Sequence, residues 1–245
     1  MTTAIHLIGV DVATGWTAPD APREIDAPAV ADKPDIRTWT AAMTTEDRMG
    51  LHGRTLTQLV ADEPVEVIEE SGDWVRVVAP WQPDPADARG YPSWVRRSHL
   101  RAVGPGAPPA ITPPPPKPPS TIEADRLAII EYARRFIGLH YLWGGTCKWG
   151  LDCSGLVHYA YRQAGVVIPR DAHVQQTAAV AVPLGAEQPG DLYFFAGRGG
   201  GVTHVGFVTG ERHMLHAPQA DGQITDEPLP PHRAKTLVAA GRFRT

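Results

Sequence analysis

Asp152-Cys153-Ser154-Gly155-Leu156-Val157 decides how the second half of this 245-residue chain is read. The hexapeptide follows an aromatic, glycine-rich turn, Tyr141-Leu142-Trp143-Gly144-Gly145, and opens an amphipathic segment that closes at Gly165. Asp is a preferred N-cap residue and Gly a preferred C′ residue, so both ends of a short helix are signalled. A thiol in the first turn of a helix faces unpaired backbone N–H groups and the positive end of the helix dipole, and both favour the thiolate. The stretch is expected to present Cys153 as a nucleophile.

Upstream of it, Leu127, Ile130, Ala133, Phe136 and Ile137 recur at helical spacing over residues 122–137, and Gly138 stops the pattern. Downstream, the turn Gln188-Pro189-Gly190-Asp191 feeds an apolar run to Phe195. A glycine-rich tip at Gly197–Gly201 precedes Val202–Val208, and a turn at Thr209-Gly210-Glu211 returns into His213–Pro218. Helices followed by antiparallel strands predict an α+β domain. In the first strand of that hairpin His204 shares a face with Gly206 and Val208, and in the second His216 shares one with Met214. If the start of the Cys153 helix packs against this hairpin, one sulfur and two imidazoles meet. His204 then takes the proton from Cys153 and returns it to the leaving amine, while His216 orients His204 and stabilises its charged form.

The other candidates have plainer readings. Cys147 reads as a small buried hydrophobe, and His158, His173 and His213 as structural or surface groups, because their phase points them away from the inferred site. A zinc site lacks the Cys and His pair spacings it needs in this half, so no metal or other cofactor is expected.

In the first half, Ile5 to Val12 reads as a strand and Pro19 to Pro34 as a long loop. Thr44 to Met49 reads as a short helix with a Thr cap and acids in its first turn. Thr55–Val60, Pro64–Glu69 and Trp74–Val78 follow as strands, the last two alternating apolar and polar residues about a turn at Ser71-Gly72-Asp73, and Tyr91–Val95 adds another. Several short strands in under about 100 residues imply a small barrel. Gly104 to Ser120 is dominated by proline and should be extended polyproline II, at about 3.1 Å per residue. It is expected to be a tether between domains rather than a ligand for one.

Two resemblances rest on these motifs. The run from Glu63 through Val77, with Gly90-Tyr91-Pro92-Ser93-Trp94-Val95, resembles a bacterial SH3 domain, with Pro19 to Met49 as an insertion. Tyr141-x-Trp143-Gly144-Gly145, Asp152-Cys153-Ser154-Gly155-Leu156-Val157, Pro189-Gly190-Asp191-Leu192-x-Phe194-Phe195, His204-Val205-Gly206 and Leu215-His216-Ala217-Pro218 together resemble, in order, the NlpC/P60 family of papain-like cysteine peptidases. The resemblances imply a papain-like catalytic domain at 121–245, a proline-rich linker at 104–120 and a small all-β SH3-like barrel at 1–103. They imply cleavage of γ-D-glutamyl-diamino-acid bonds in murein peptides without a metal, with Cys153 as nucleophile, His204 as base, His216 as orienting residue and Tyr141 lining the site. Members with this domain pair resemble murein-recycling enzymes that require a free N-terminal L-Ala and release L-Ala-D-Glu. By motif position Glu63, Tyr91 and Asp171 match the residues that bind the free ammonium, and Asp152 and Ser154 flank the nucleophile and contact the peptide. One departure stands out: Ala172 follows the Arg170-Asp171 pair where the family commonly has Ser.

Composition bounds the alternatives. Hydrophobic residues make up 42% and charged residues 20% of the chain, and the net charge of −4 carries no long basic run, which argues against a nucleic-acid partner. No apolar run reaches the roughly 18 residues of a membrane span. The first basic residue is Arg23, so the charged start of a secretory signal is missing and a cytoplasmic location is expected, where a Cys147–Cys153 disulfide is disfavoured. The expected partner is a murein tri- or tetrapeptide bound by a monomer. Two other functions stand beside this one: an endopeptidase of intact wall, and a non-catalytic wall-peptide binder.

Overall fold

The computed structural model describes residues 5–103, 122–219 and 221–243. By their contacts these fall into two compact units. The first runs to residue 103 and takes in Leu142–Gly150; the second holds the remainder. The expected proline-rich tether lies outside the described residues.

The first unit is built on an antiparallel sheet of seven strands: β1 (Ile5–Ile8), β2 (Val12–Trp16), β3 (Thr55–Val60), β4 (Pro64–Ser71), β5 (Trp74–Ala79), β6 (Tyr91–Arg96) and β7 (Leu100–Ala102), in the order β3-β2-β6-β5-β4-β1-β7. The single strand expected over Ile5–Val12 is two. β1 pairs with β4 and β7 and β2 pairs with β3 and β6, so the chain must turn a corner at Gly9–Asp11 to change partners. Inward residues Ile8, Ala13, Leu59, Val65, Val75, Val77 and Val95 form one apolar core.

The stretch Pro19–Pro34, expected to be loop, contains a 3₁₀ turn at Glu24–Asp26 and a short helix α1 (Ala27–Val30). The cause is Asp26, fully buried, whose carboxylate accepts from the Arg23 guanidinium at 2.9 Å and from Trp39 Nε1 at 3.0 Å. Such a satisfied buried acid can order a proline-containing segment that has no periodicity to order it. Next come α2 (Ile36–Ala42) and α3 (Thr45–Met49), the latter capped by Thr44 and Asp47 reciprocally, as its sequence predicts. Trp16 and Trp39 pack together with ring centroids 6.1 Å apart in a second core.

Leu142–Gly150 belongs to this unit, although the sequence reading assigns it to the second domain. Thr55 Oγ1 donates to Trp143 O at 2.9 Å, and Trp143 Nε1 donates back to Thr55 O at 3.1 Å. Thr146 Oγ1 donates to Gln58 O at 2.7 Å. Gly144 stands at φ +78 with Thr55 Oγ1 2.9 Å from where a Cβ would lie, so the turn needs glycine both for conformation and for space. Two short strands, β8 (Thr146–Cys147) and β9 (Gly150–Leu151), close the segment into a hairpin.

The second unit opens with α4 (Ile122–Arg134), followed by α5 (Cys153–Gln163), α6 (Ala172–Ala178) and the one-turn α7 (Pro231–Ala234). Its sheet holds β10 (Val180–Val182), β11 (Leu192–Ala196), β12 (Val202–Gly210), β13 (His213–His216), β14 (Thr225–Pro228) and β15 (Leu237–Arg242), ordered β10-β15-β11-β12-β13-β14. β11 is buried on both faces. Tyr193 and Phe195 join a cluster with Val208, Met214 and Leu229, while Phe194 is fully buried between them in sequence and so points to the opposite face. On β12, Phe207 stacks with Tyr161 of α5 at 6.1 Å, which fixes the helix against the sheet.

The buried side of α4 is Arg126, Ile129, Ile130 and Ala133; Leu127 and Ile137, expected to face inward, are 44% and 50% exposed. Arg126 and Arg242 converge on fully buried Asp191, at 3.4 and 2.6 Å, so this motif aspartate anchors the first helix and the last strand to the turn before β11.

Candidate active site

Asp152 is extended, at φ −90 and ψ −177, and its carboxylate accepts the backbone N–H of Gly155 at 2.6 Å, which starts α5 at Cys153. Gly165, at φ +75, lies just beyond the other end. Arg170, 1% exposed, grips the cap with two donors, Nη1 to Oδ1 at 3.1 Å and Nη2 to Oδ2 at 2.5 Å, and also donates to Ser154 Oγ at 2.9 Å. Ser154 Oγ in turn donates to Asp152 Oδ1. Both residues expected to contact a peptide are therefore also parts of the scaffold that holds the thiol.

The Cys153 sulfur lies 4.0 Å from Thr203 O and meets the backbone N–H groups of Val205 and Ser154, so its polar contacts are to the main chain around His204 and at the helix start. His204 and His216 are both buried, and His204 Nε2 and His216 Nδ1 are 2.8 Å apart. Strand register explains the approach. Phe207 pairs with Leu215 and Val208 with Met214, and continuing that register sets Gly206 opposite His216, with His204 one diagonal step away on the same face. A Cβ on Gly206 would lie 2.9 Å from His216 Cβ. The glycine of the His204-Val205-Gly206 motif thus clears the space in which the rings meet.

Burial pushes the Cys153 thiol up to about 12, with the Asp152 charge adding to it; the N–H groups of Val205 and Ser154 and the Arg170 charge pull the other way and do not prevail. The N–H groups at the helix start favour the thiolate and desolvation opposes them. Burial likewise holds His204 well below the ordinary imidazole range, reinforced by the positive charge of Arg233 and by His216 and His232. His216 is lowered by burial, with Glu227 opposing. Burial thus acts against the charged form of both the thiol and the imidazole.

Tyr141 is buried, and burial together with the nearby Cys153 and Asp152 raises its phenol well above its ordinary value, so it stays a neutral donor. It is held by its backbone, which donates to Gly222 O at 3.0 Å. Asp171 is the N-cap position of α6, its side chain 35% exposed and 4.0 Å from Arg170. Ala172 is buried at the start of the same helix. In the first unit, Glu63 is fully buried, accepting from the Val60 N–H at 3.1 Å and from Gln82 Nε2 at 2.9 Å, while Tyr91 pairs across the sheet with Ala79. His158 is buried inside α5 with Nδ1 2.9 Å from Ile168 O; Cys147 is buried and free. Among the described residues no group of three or more His, Cys, Asp or Glu is arranged to hold a metal ion.

Two residues that sequence reasoning missed adjoin the imidazoles. Glu227 Oε1 is 3.0 Å from His216 Nε2. Arg233 sets its guanidinium 5.9 Å from the Phe195 ring, which is itself 5.5 Å from that of His204, and donates to Pro218 O at 2.8 Å. Neither lies in a motif. Only the pairing of β14 with β13 and the packing of α7 bring them in.

The profile of the NlpC/P60 family matches residues 138–242. A Bacillus subtilis protein named gamma-D-glutamyl-L-lysine dipeptidyl-peptidase is 33% identical over 273 residues, spanning 90% of this chain and 92% of that protein. A Bacillus cereus protein of the same name is 30% identical, spanning 91% of this chain and 85% of its own length. The crystal structure of an NlpC/P60 family protein from Bacillus cereus superposes with a TM-score of 0.87 at 27% identity, covering 99% of this chain and 100% of that one.

Proposed function

The chain belongs to the NlpC/P60 family, and from that premise we propose that it is a cysteine peptidase hydrolysing the γ-D-glutamyl-diamino acid bond of murein peptides with a free N-terminal L-Ala, releasing L-Ala-D-Glu. The observation that carries the mechanism is the 2.8 Å contact between His204 and His216 beside the capped helix start at Cys153. The substrate follows from relatives named gamma-D-glutamyl-L-lysine dipeptidyl-peptidase that match about nine-tenths of the chain.

Neutral His204 takes the Cys153 proton as the sulfur attacks the γ-carbonyl carbon, so charge is created only as the bond forms. The oxyanion is met by the backbone N–H of Cys153 and the neutral Tyr141 hydroxyl. His204 then protonates the departing amine, and water drawn in by the same ring hydrolyses the thioester and restores the thiol. His216 holds the ring of His204 in line through their 2.8 Å contact.

The ammonium of the peptide needs carboxylate partners, because burying it unpaired is costly. Motif correspondence assigns Glu63, Tyr91 and Asp171 to it, with Asp152 and Ser154 next to the nucleophile. The reading includes an SH3-like module at 1–103, a tether at 104–120 and a catalytic domain at 121–245, acting in the cytoplasm on free peptides.

Mass spectrometry of products from defined stem peptides tests it. Cys153→Ala should end release of L-Ala-D-Glu while circular dichroism is unchanged, and undiminished turnover overturns the mechanism. Acetylating the peptide's N-terminus should block cleavage; an acetylated peptide cut equally well points to an endopeptidase instead.

A further inference from the structure

Three side chains on adjacent strands, His204 of β12, His216 of β13 and Glu227 of β14, form an unbroken line, with His204 Nε2 2.8 Å from His216 Nδ1 and His216 Nε2 3.0 Å from Glu227 Oε1. The sheet draws this line. Glu227 is the cross-strand partner of Met214, two residues before His216, so it reaches His216 on the diagonal just as His216 reaches His204.

The far end fixes the direction of every bond. An ionised carboxylate only accepts, so His216 Nε2 carries the proton between it and Glu227. A neutral imidazole has one N–H, which leaves His216 Nδ1 bare and able only to accept. His204 Nε2 must then be the donor to it. The proton of His204 is therefore spent toward His216, and its Nδ1 is the bare nitrogen.

We propose that Glu227 is a positioning residue that sets the tautomers of both histidines and so makes Nδ1 of His204 the atom that receives the proton of Cys153. This rests on the reading of Cys153 as nucleophile and His204 as base. Glu227 touches neither sulfur nor substrate; it acts through His216. When His204 becomes an imidazolium, the same line ends on a negative charge. Among the described residues, Arg233 and His232 also act on the two rings, both against protonation. Glu227 acts on His216 in the opposite sense.

Nitrogen-15 NMR of histidine-labelled enzyme reads the tautomers without reference to activity. The wild type should show both rings protonated at Nε2 and bare at Nδ1. Glu227→Leu, which removes the acceptor, should populate the other tautomer of His216 and lower kcat roughly tenfold to a hundredfold; an orienting acid one step closer to its base is worth about 10⁴. Glu227→Gln keeps an acceptor but no charge. It should lose less activity and still move the acid limb of kcat/KM toward lower pH. A wild-type spectrum with the proton on His216 Nδ1, or a folded Glu227→Leu enzyme with unchanged kcat, overturns the proposal. Turnover persisting in Cys153→Ala overturns instead the nucleophile assignment beneath it, an outcome that the imidazole spectra do not depend on.

Discussion

Arg170 closes a two-pronged ion pair on Asp152, at 3.1 and 2.5 Å, and by doing so holds the carboxylate that caps the helix bearing Cys153. The two are 18 residues apart, and Arg170 is almost wholly buried. The pair fixes where the nucleophile's helix begins, and hence where the sulfur is.

Removing one partner leaves a buried charge without its counterion. Arg170→Met should therefore destabilise the enzyme by about 3–5 kcal/mol, measured by urea unfolding. Arg170→Lys keeps the charge but cannot make the planar two-point contact, so it should recover part of the stability and little of the activity. Equal stability in all three proteins would contradict this role.

Gly206→Ala places a methyl group 2.9 Å from His216 Cβ and 2.6 Å from Met214 Cε. The Met end can swing away, whereas the His216 Cβ is held by the strand. The substitution should spread the imidazoles and lower kcat by about 10²-fold, the scale of a 1 Å misplacement in an active site. Loss of Tm without loss of kcat would count against it.

Arg233 helps hold His204 and His216 in their neutral forms. Arg233→Met removes a cation that opposes protonation, so the rings should gain protons at higher pH and the acid limb of kcat/KM should move up by roughly half to one pH unit. A pH profile over the acid range checks the sign. A shift toward lower pH would mean that the guanidinium acts otherwise.

His158 is buried neutral, donating from Nδ1 to Ile168 O, and burial pushes its pKa down to about 3. In the unfolded chain its ring titrates near 6.5. Between these values the unfolded state binds more protons than the folded one, so stability falls as pH falls from about 6.5 toward 3, by up to about 1.4 kcal/mol for each pH unit. His158→Asn, which keeps a donor near Nδ1 and does not titrate, should flatten that part of the stability profile. An unchanged acid slope would exclude His158 as its source.

What could be read in the sequence was what is local. Asp152 and Gly165 mark the ends of α5 because a cap acts within a turn, and Thr44 and Asp47 mark α3 for the same reason. Alternation in Pro64–Ser71 and Trp74–Ala79 gave strands, and the spacing of His204 and His216 about a tight turn put both imidazoles on one hairpin. The periodicity of 122–137 located a helix and its buried Ile130 and Ala133, but Leu127 and Ile137 face out and Arg126 faces in toward Asp191.

The amino-acid order by itself determined a capped helix led by a thiol, a histidine hairpin and a small all-β module before a proline-rich stretch, because caps, turns and alternation act over a few residues. Only tertiary structure decided that Leu142–Gly150 packs within the first unit, that Arg170 grips the cap, and that Glu227 and Arg233 border the imidazoles. It also decided how strongly burial opposes a charge on Cys153, for that cost depends on how much water the surrounding chain removes, a quantity that exists only once the chain has closed around the sulfur.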